Sequence, residues 1–458
     1  MYVEFQQLIA FLQNKKILIA GFGREGKSSF DFIQQYAPSA QIVIADCVNL
    51  KVDLDGIPVR EGKDYLAFDD SFDLMLRSPG ISMMDIPQDW ILSGKLSSQT
   101  DLLLRFFSAN VIGVTGTKGK STTTSLIFHI LSTNGHRVIL AGNMGLPFFD
   151  QIAQAENKWI VAELSSHQLE TVKASPSVSV LLNIFPEHLD HYLSFDAYAA
   201  AKWNIARFQH QNDFLFLSRQ LFAEAGSLLK ELDCGQRIMF GCEKSKNSSF
   251  VAIVSEKLEL QFGSVDAVVD CDWKKIPLRG VHNRVNIAAA VGASVTAGVT
   301  PENALDAVYS FQPLPHRLEW IGDINGVGFV NDSISTIPQS TIAALDTFPE
   351  TATLLLGGFD RGLDYTELVV YLKNHRVENI VLMGQVGIKL GEELETGMVA
   401  GSFFYAPNMQ KAVEFAVQRT PKGKICLLSP AASSYDQYKN FEHRGDDFKH
   451  WAREFGAK

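Results

Sequence analysis

Short unbroken runs of aliphatic and β-branched residues recur along this chain, most of them followed by a glycine turn and a helix-like stretch. They read "KILIAGFG", "QIVIAD", "NVIGVTG", "KWIVAEL", "VSVLLNI", "TATLLLGG", "NIVLMG" and "KICLLSP". Strands of this kind are buried on both faces, and their alternation with amphipathic stretches predicts parallel sheets covered by helices. The fold class is therefore α/β. The segment 212–281 breaks the pattern: "FVAIVSEKLELQF" alternates, which predicts shorter strands in an antiparallel excursion. The prolines of "SFQPLPHRLEW" interrupt a helix and mark a junction. A chain of 458 residues has room for roughly three domains, and boundaries near 99 and 313 divide it into 1–99, 100–313 and 314–458.

With 46% hydrophobic and 20% charged residues, the chain can bury sizeable cores without staples. A formal charge of −10 argues against nucleic-acid binding, which needs a basic face. No apolar run is long enough for a membrane helix, so no membrane insertion is expected. The start lacks a basic n-region and a small-residue cleavage site, so no signal peptide is expected either. Cys47, Cys234, Cys242, Cys271 and Cys426 are odd in number and scattered without a CxxC pair. Reduced thiols in the cytosol are the simple reading, not a metal cluster.

Two glycine-rich loops carry the chemistry. The first follows "KILIA" as Gly21-x-Gly23-x-x-Gly26, and the next strand ends in Asp46. Such glycines let the backbone approach a diphosphate at a helix N-terminus, with Arg24 and Glu25 in the same turn. The motif does not separate a nicotinamide dinucleotide from a UDP-sugar, since both offer a diphosphate between two sugars. "SPGIS", with Ser78, Pro79 and Gly80, follows a further strand and adds backbone amides to the same place.

The second loop, "GVTGTKGKSTTT", is more specific. Gly116, Thr117, Lys118 and Gly119 offer amides to a triphosphate, Lys120 reaches its β/γ oxygens, and Ser121 or Thr122 holds Mg²⁺. The outer glycine is Gly113, one place early for a strict P-loop, which indicates a variant class. Glu163 ends the strand of "KWIVAEL" and supplies the neighbouring-strand carboxylate that magnesium needs. Glu187, His188, Asp190 and His191 in "NIFPEHLDHY" read, by themselves, as either a transition-metal site or a solvated loop.

Together these blocks resemble the Mur ligases over nearly the whole chain. The resemblance runs through "GFGREGKS", "SPGIS", "GVTGTKGKSTTT", "AGNMGLP", "ELSSHQLE", "NIFPEHLDHY" and "YAAAKWNI". It continues through "GVHNRVNIAAA", "LPHRLE", "NDSI" and "LLSPAASSYDQYKNFEHRG". It implies a Rossmann-like UDP-binding domain, a central P-loop ATP-binding domain and a C-terminal Rossmann-like domain that takes the amino acid. The late block favours the glutamate-adding branch, and the "DNPR" block of the diaminopimelate-adding branch is absent.

The implied reaction is ATP-driven addition of D-glutamate to UDP-N-acetylmuramoyl-L-alanine through an acyl phosphate, in cytoplasmic peptidoglycan precursor synthesis by a monomer. L-Glutamate on the same substrate is the alternative, and an NAD-dependent oxidoreductase a remote one. By resemblance, Lys120, Glu163, His188 and Lys202 serve catalysis, and Ser121, Glu163, His188 and Lys202 surround two Mg²⁺ ions. Lys202 matches the lysine that the family carbamylates, although without that match a plain surface lysine is the reading. Asn143 and His188 face the muramoyl group, Asn283 and Asn286 the adenine, and Arg317 and Asp332 the phosphate and ribose. Thr336, Arg361, Ser434 and Phe441 fall at the amino-acid site. Ile334 stands where the family has a lysine, Arg361 lies near another, and Lys118 replaces a common asparagine. An arginine grips a carboxylate bidentately, so an acidic acceptor is still expected.

Overall fold

In a computed structural model, the structure describes residues 2–50, 54, 56–142, 146–188, 191–226, 229, 232, 235–245, 248–375, 377–395 and 402–456. The chain forms two compact units. The first comprises Met1–Ile276 and His282–Phe311, the second Pro277–Val281 and Gln312–Lys458.

The first unit holds two sheets. One consists of β1 (Lys16–Ala20), β2 (Gln41–Asp46), β3 (Val59–Glu61), β4 (Leu74–Arg77) and β5 (Leu96–Ser97) in the order β3-β2-β1-β4-β5. Every pair in it is parallel. The order reverses between β1 and β4, and the carboxyl ends of strands at such a switch point are where open α/β sheets take ligands.

The second sheet runs β14-β13-β12-β11-β10-β9-β6-β8-β7. Its parallel body is β6 (Val111–Thr115), β7 (Val138–Gly142), β8 (Trp159–Glu163), β9 (Val178–Leu181), β10 (Phe214–Ser218) and β11 (Gln236–Gly241). β12 (Phe250–Val254) also pairs parallel to β11. Only β12, β13 (Lys257–Phe262) and β14 (Val265–Asp270) form an antiparallel meander. The excursion expected over 212–281 is thus narrower than that span. "FLFLS" of β10 is buried along nearly its full length and extends the parallel core, whereas β14 alternates between half-buried and exposed. Burial on both faces, not chain position, decides which pattern a strand shows.

One hydrophobic core joins the two sheets of this unit, running from Phe5 and Leu8 through Ile17 and Phe32 to Phe149 and Leu215. Phe32 stacks on Phe149 at 4.3 Å between ring centroids. The Tyr2 hydroxyl donates to the Ile152 carbonyl at 2.5 Å.

The second unit is built on β15 (Glu319–Ile324), β16 (Val327–Asn331), β17 (Thr351–Gly357), β18 (Asn379–Met383), β19 (Ser402–Tyr405) and β20 (Ile425–Leu428). Their order is β15-β16-β20-β17-β18-β19. β15 and β16 form an antiparallel hairpin around Asn325 and Gly326, both at positive φ, and the other pairs are parallel. Among the described residues, no helix is long and apolar enough to cross a membrane.

Candidate active site

The first glycine loop leaves β1 at Ala20 and enters the helix Arg24–Tyr36. Gly26 sits under the loop, where a Cβ would collide with the Gly21 carbonyl oxygen. Only glycine lets helix and strand close this tightly. Ser78 donates its hydroxyl to that same carbonyl at 2.9 Å and so brings the "SPGIS" loop alongside. Asp46 accepts from the Phe22 amide at 2.8 Å and the Val48 amide at 3.1 Å. Its carboxylate is occupied in shaping the loop.

A cavity of about 700 Å³ opens over these groups. Gly21, Gly23, Arg24, Glu25, Asp46, Ser78, Pro79 and Gly80 line one side of it. The other side comes from the second sheet and includes Lys120, Gly142, Gln168 and the imidazoles of His167, His188 and His191. The structure therefore brings most of the first-loop candidates into one space with Lys120 and His188. Gly26 lies outside the wall, while Asn143 and Asp190 lie outside the described residues.

His167 and Gln168 lay inside a block recognised in the sequence but carried no assigned role, and His191 carried only the open reading of metal site or solvated loop. The His167 ring is 4.0 Å from His191 and 5.0 Å from His188 between centroids. Burial and these two imidazoles push its pKa down to about 4, so it is neutral at physiological pH. Burial raises the pKa of Glu25, against a 3.0 Å hydrogen bond that its carboxylate accepts from Gln168.

The second loop joins β6 to the helix Lys120–Thr133. Its geometry is held from the segment after β9. The Thr117 amide donates to the Asn183 carbonyl at 2.9 Å, and the Lys118 amide donates to Asn183 Oδ1 at 2.8 Å. Asn183 returns a bond from Nδ2 to the Lys118 carbonyl at 3.0 Å. Asn183 opens the "NIFPEHLDHY" block but carried no assigned role, because its partners are distant in the chain. The Lys120 ammonium donates to the carbonyls of Gly116 and Thr117 at 2.9 and 3.0 Å. Lys118 pairs with Glu187 at 2.8 Å. Burial works to raise the Glu187 pKa, but Lys118, His188 and Lys120 overcome it and hold the carboxyl below its ordinary value.

Glu163 ends β8 directly opposite Val114 of β6 and is 1% exposed. Lys202, on the helix Phe195–Arg207, is 2% exposed and donates to the Gly116 carbonyl at 2.9 Å. Its surroundings are those of an interior group, which corrects the plain-surface reading of the bare sequence. Burial, reinforced by Lys120, lowers its pKa to about 6. Asn286 donates to Asn283 Oδ1 at 3.0 Å, and both lie buried on the helix Val281–Thr296.

Magnesium keeps several waters and takes one or two protein carboxylates beside phosphate oxygens. Among the described residues, no group of three or more His, Cys, Asp or Glu is placed to hold a metal unaided. The donor set fits an ion that arrives with a triphosphate: Ser121 opens the helix after the loop, and Glu163 closes the adjacent strand. His188 is a softer donor for so hard an ion.

The remaining candidates belong to the second unit. Asp332 follows β16 and accepts from the Leu318 amide at 3.2 Å and the Ser429 hydroxyl at 2.9 Å. Burial raises its pKa to about 6. Arg317, beside Leu318, is half-buried. Arg361 is exposed and donates to the Thr336 carbonyl at 3.2 Å, so these two acceptor-site candidates meet. Ser434 and Phe441 border a buried guanidinium that the sequence reading passed over. Arg444 donates to the hydroxyl and carbonyl of Ser333 and to the carbonyls of Ala432 and Ser433. Ser333 in turn donates to the Phe441 carbonyl at 2.8 Å. Arg444 thereby ties the "NDSI" loop to the late block that contained it.

Two glycine-rich loops, one leaving each sheet of the first unit, contribute to one cavity, and comparison with known proteins places the chain among ligases. Residues 114–294 match the Mur ligase middle domain, and residues 316–432 match the Mur ligase glutamate ligase domain. The chain belongs to the Mur ligase family. It is 34% identical to the UDP-N-acetylmuramoylalanine--D-glutamate ligase of Geobacillus kaustophilus, over 96% of this chain and 97% of that protein. It is 33% identical to the enzyme of the same name from Koribacter versatilis, over 98% and 99%. Among solved structures, the MurF ligase of Thermotoga maritima in complex with ADP shares the fold at a TM-score of 0.59 and 18% identity, covering 97% of each chain.

Proposed function

We infer that this chain joins D-glutamate to UDP-N-acetylmuramoyl-L-alanine, converting ATP to ADP and phosphate. The carrying observation is the shared cavity. The diphosphate-type loop at Gly21 and the P-loop lysine Lys120 open onto one space, as transfer between a UDP-linked carboxylate and ATP requires. Relatives at 33–34% identity over nearly the whole chain bear that activity in their names. The NAD alternative loses support, because it leaves the second glycine loop and Lys120 without a role, while the family match and the named relatives are ligases.

In this reading the first loop, with Arg24 and Ser78–Gly80, holds the UDP handle and directs the alanyl carboxylate toward Lys120. Both reactants of the first step are anions, so charge neutralisation in a closed site is the main task. The loop amides of Gly116–Gly119 and the Lys120 ammonium supply it, leaving an acyl phosphate on the substrate and ADP in the loop. The glutamate amine then attacks the acyl carbon and phosphate departs. Ser121, Glu163, His188 and Lys202 would hold Mg²⁺ at two sites, where the ion adds further positive charge beside the transferring phosphoryl group. A Lys202 amine with a pKa of about 6 is neutral at working pH, the form that reacts with CO₂ to give a carbamate.

The adenine falls to Asn283 and Asn286, and the γ-phosphate and ribose side to Arg317 and Asp332. The incoming amino acid falls to Thr336, Arg361, Ser434 and Phe441. The three sheets are read as three domains, 1–99, 100–313 and 314–458, working as a monomer in the cytoplasm.

Phosphate release from UDP-N-acetylmuramoyl-L-alanine and ATP, measured with D-glutamate, L-glutamate and lysine in parallel, tests the reading. D-Glutamate is expected to give the fastest turnover. Preference for L-glutamate would move the assignment to the alternative acceptor, and preference for lysine would overturn the acidic-acceptor site altogether.

A further inference from the structure

Arg77 ends β4 and is 2% exposed. Its Nη1 donates to the Ile81 carbonyl at 2.5 Å, within the loop that walls the first cradle. Its Nη2 donates to the His167 carbonyl at 2.6 Å and lies 2.8 Å from the Glu170 carboxylate. The other oxygen of that carboxylate faces His191 Nε2 at 3.0 Å. His167 and Glu170 sit on and just beyond the helical turn Ser166–Leu169, which follows Glu163 closely. His191 lies just past His188.

One buried cation therefore touches the UDP-side loop and, directly or through Glu170, both segments that carry candidate magnesium ligands. The turn Ser166–Leu169 is gripped from the first sheet a second time, by the Gln168–Glu25 hydrogen bond at 3.0 Å. Glu25, His167, Gln168 and His191 line the cavity, whereas Arg77 and Glu170 do not line it and instead join the two sheets beside it.

We propose that Arg77, acting with Glu170, is a positioning residue that fixes the separation between the UDP-linked carboxylate and the phosphoryl group it attacks. The proposal rests on the ligase reading above. A planar guanidinium can hold two carbonyls in fixed directions while its charge pairs with a carboxylate, which a lysine ammonium on a flexible stem does not reproduce. A misplacement of about 1 Å between reacting groups costs roughly 10²-fold in rate even when each group still binds.

The test uses the full chain carrying Arg77→Met together with Glu170→Met, and separately Arg77→Lys. Replacing both members of a buried pair with apolar side chains tends to preserve folding, whereas removing one strands a charge. For each variant, calorimetry gives the affinities for UDP-N-acetylmuramoyl-L-alanine and for a non-hydrolysable ATP analogue. Phosphate release gives kcat, and thermal melting reports the fold. Both affinities are expected to stay within about threefold of wild type while kcat falls at least tenfold, in the double variant and in Arg77→Lys.

A folded double variant with kcat within twofold of wild type overturns the proposal. So does a loss accounted for entirely by weaker UDP-substrate binding. If the double variant melts early, Arg77→Lys carries the same readouts with the charge retained. Wild-type enzyme that D-glutamate fails to stimulate overturns the ligase reading and this proposal with it. Stimulated wild type with undiminished variants overturns the proposal alone.

Discussion

Asn286 Oδ1 stands 2.6 Å from the position a Cβ would take on Gly119, and Gly119 has φ of +87°. The residue that caps the P-loop helix is thus confined twice, by its left-handed backbone and by an amide from a helix far along the chain. Gly119→Ala is expected to cost about 1–3 kcal/mol and to abolish ATP-dependent protection in a thermal-shift assay. Pairing it with Asn286→Ala removes the collision but not the backbone strain, so stability is expected to return only in part. Full ATP protection in Gly119→Ala would show that the loop tolerates a side chain there.

Lys120 is half-buried and donates to two carbonyls of its own loop. Lys120→Ala is expected to lower kcat by roughly 10²–10³-fold, the scale of losing one preorganised charge donor. The melting temperature should move by no more than about 2 °C, as for a substitution away from any core. Steady-state phosphate release and calorimetry on the same sample check both halves. Near-normal turnover would remove Lys120 from the chemistry.

Lys202 ties stability to pH. Its folded pKa, about 6, lies below the ordinary 10.5, so the unfolded chain binds the proton first as the pH falls. The favourable contribution is present above about 10.5, declines through the window down to about 6, and is lost below it. In CO₂-depleted buffer, urea midpoints are expected to rise from pH 6.5 to pH 9, and Lys202→Met should flatten that slope. Bicarbonate should raise turnover of the wild type and leave the methionine variant unchanged. A pH slope surviving in Lys202→Met would assign it to another group.

Asp332 has the opposite sign. Its folded pKa is raised to about 6 from 3.8, so the favourable term is complete below 3.8 and lost as the pH rises through 6. Above that point a buried charge opposes folding. Asp332→Asn is expected to stabilise the protein at pH 7.5 by about 1–3 kcal/mol, with an amide that can still accept from Leu318. The ribose-side role proposed for this carboxylate leads to an expected rise of at least tenfold in the KM for ATP. A variant that is less stable, with KM unchanged, would contradict both the burial argument and the assigned role.

How much of this was legible before the fold was known depended on how far apart the interacting groups lie. The eight apolar runs all became strands, with β2 buried only in part, and both glycine loops fell between a strand and a helix, because those properties are decided by neighbours in the chain. β10 was read as part of the antiparallel excursion over 212–281, and neither its burial nor its parallel pairing with β9 and β11 was anticipated. Pairing depends on which strand arrives alongside.

The sequence by itself determined most of the strands and both glycine loops, since local periodicity and glycine spacing carry that information, and its ordered motif blocks carried the resemblance to the family. Only the tertiary structure decided that Asn183 latches the P-loop, that Lys202 is an interior amine against Gly116, and that Arg77 bridges two sheets to Glu170. Those contacts join residues separated by 65 to 93 positions. Burial and partner choice at such range follow from how the sheets pack, which no local pattern encodes.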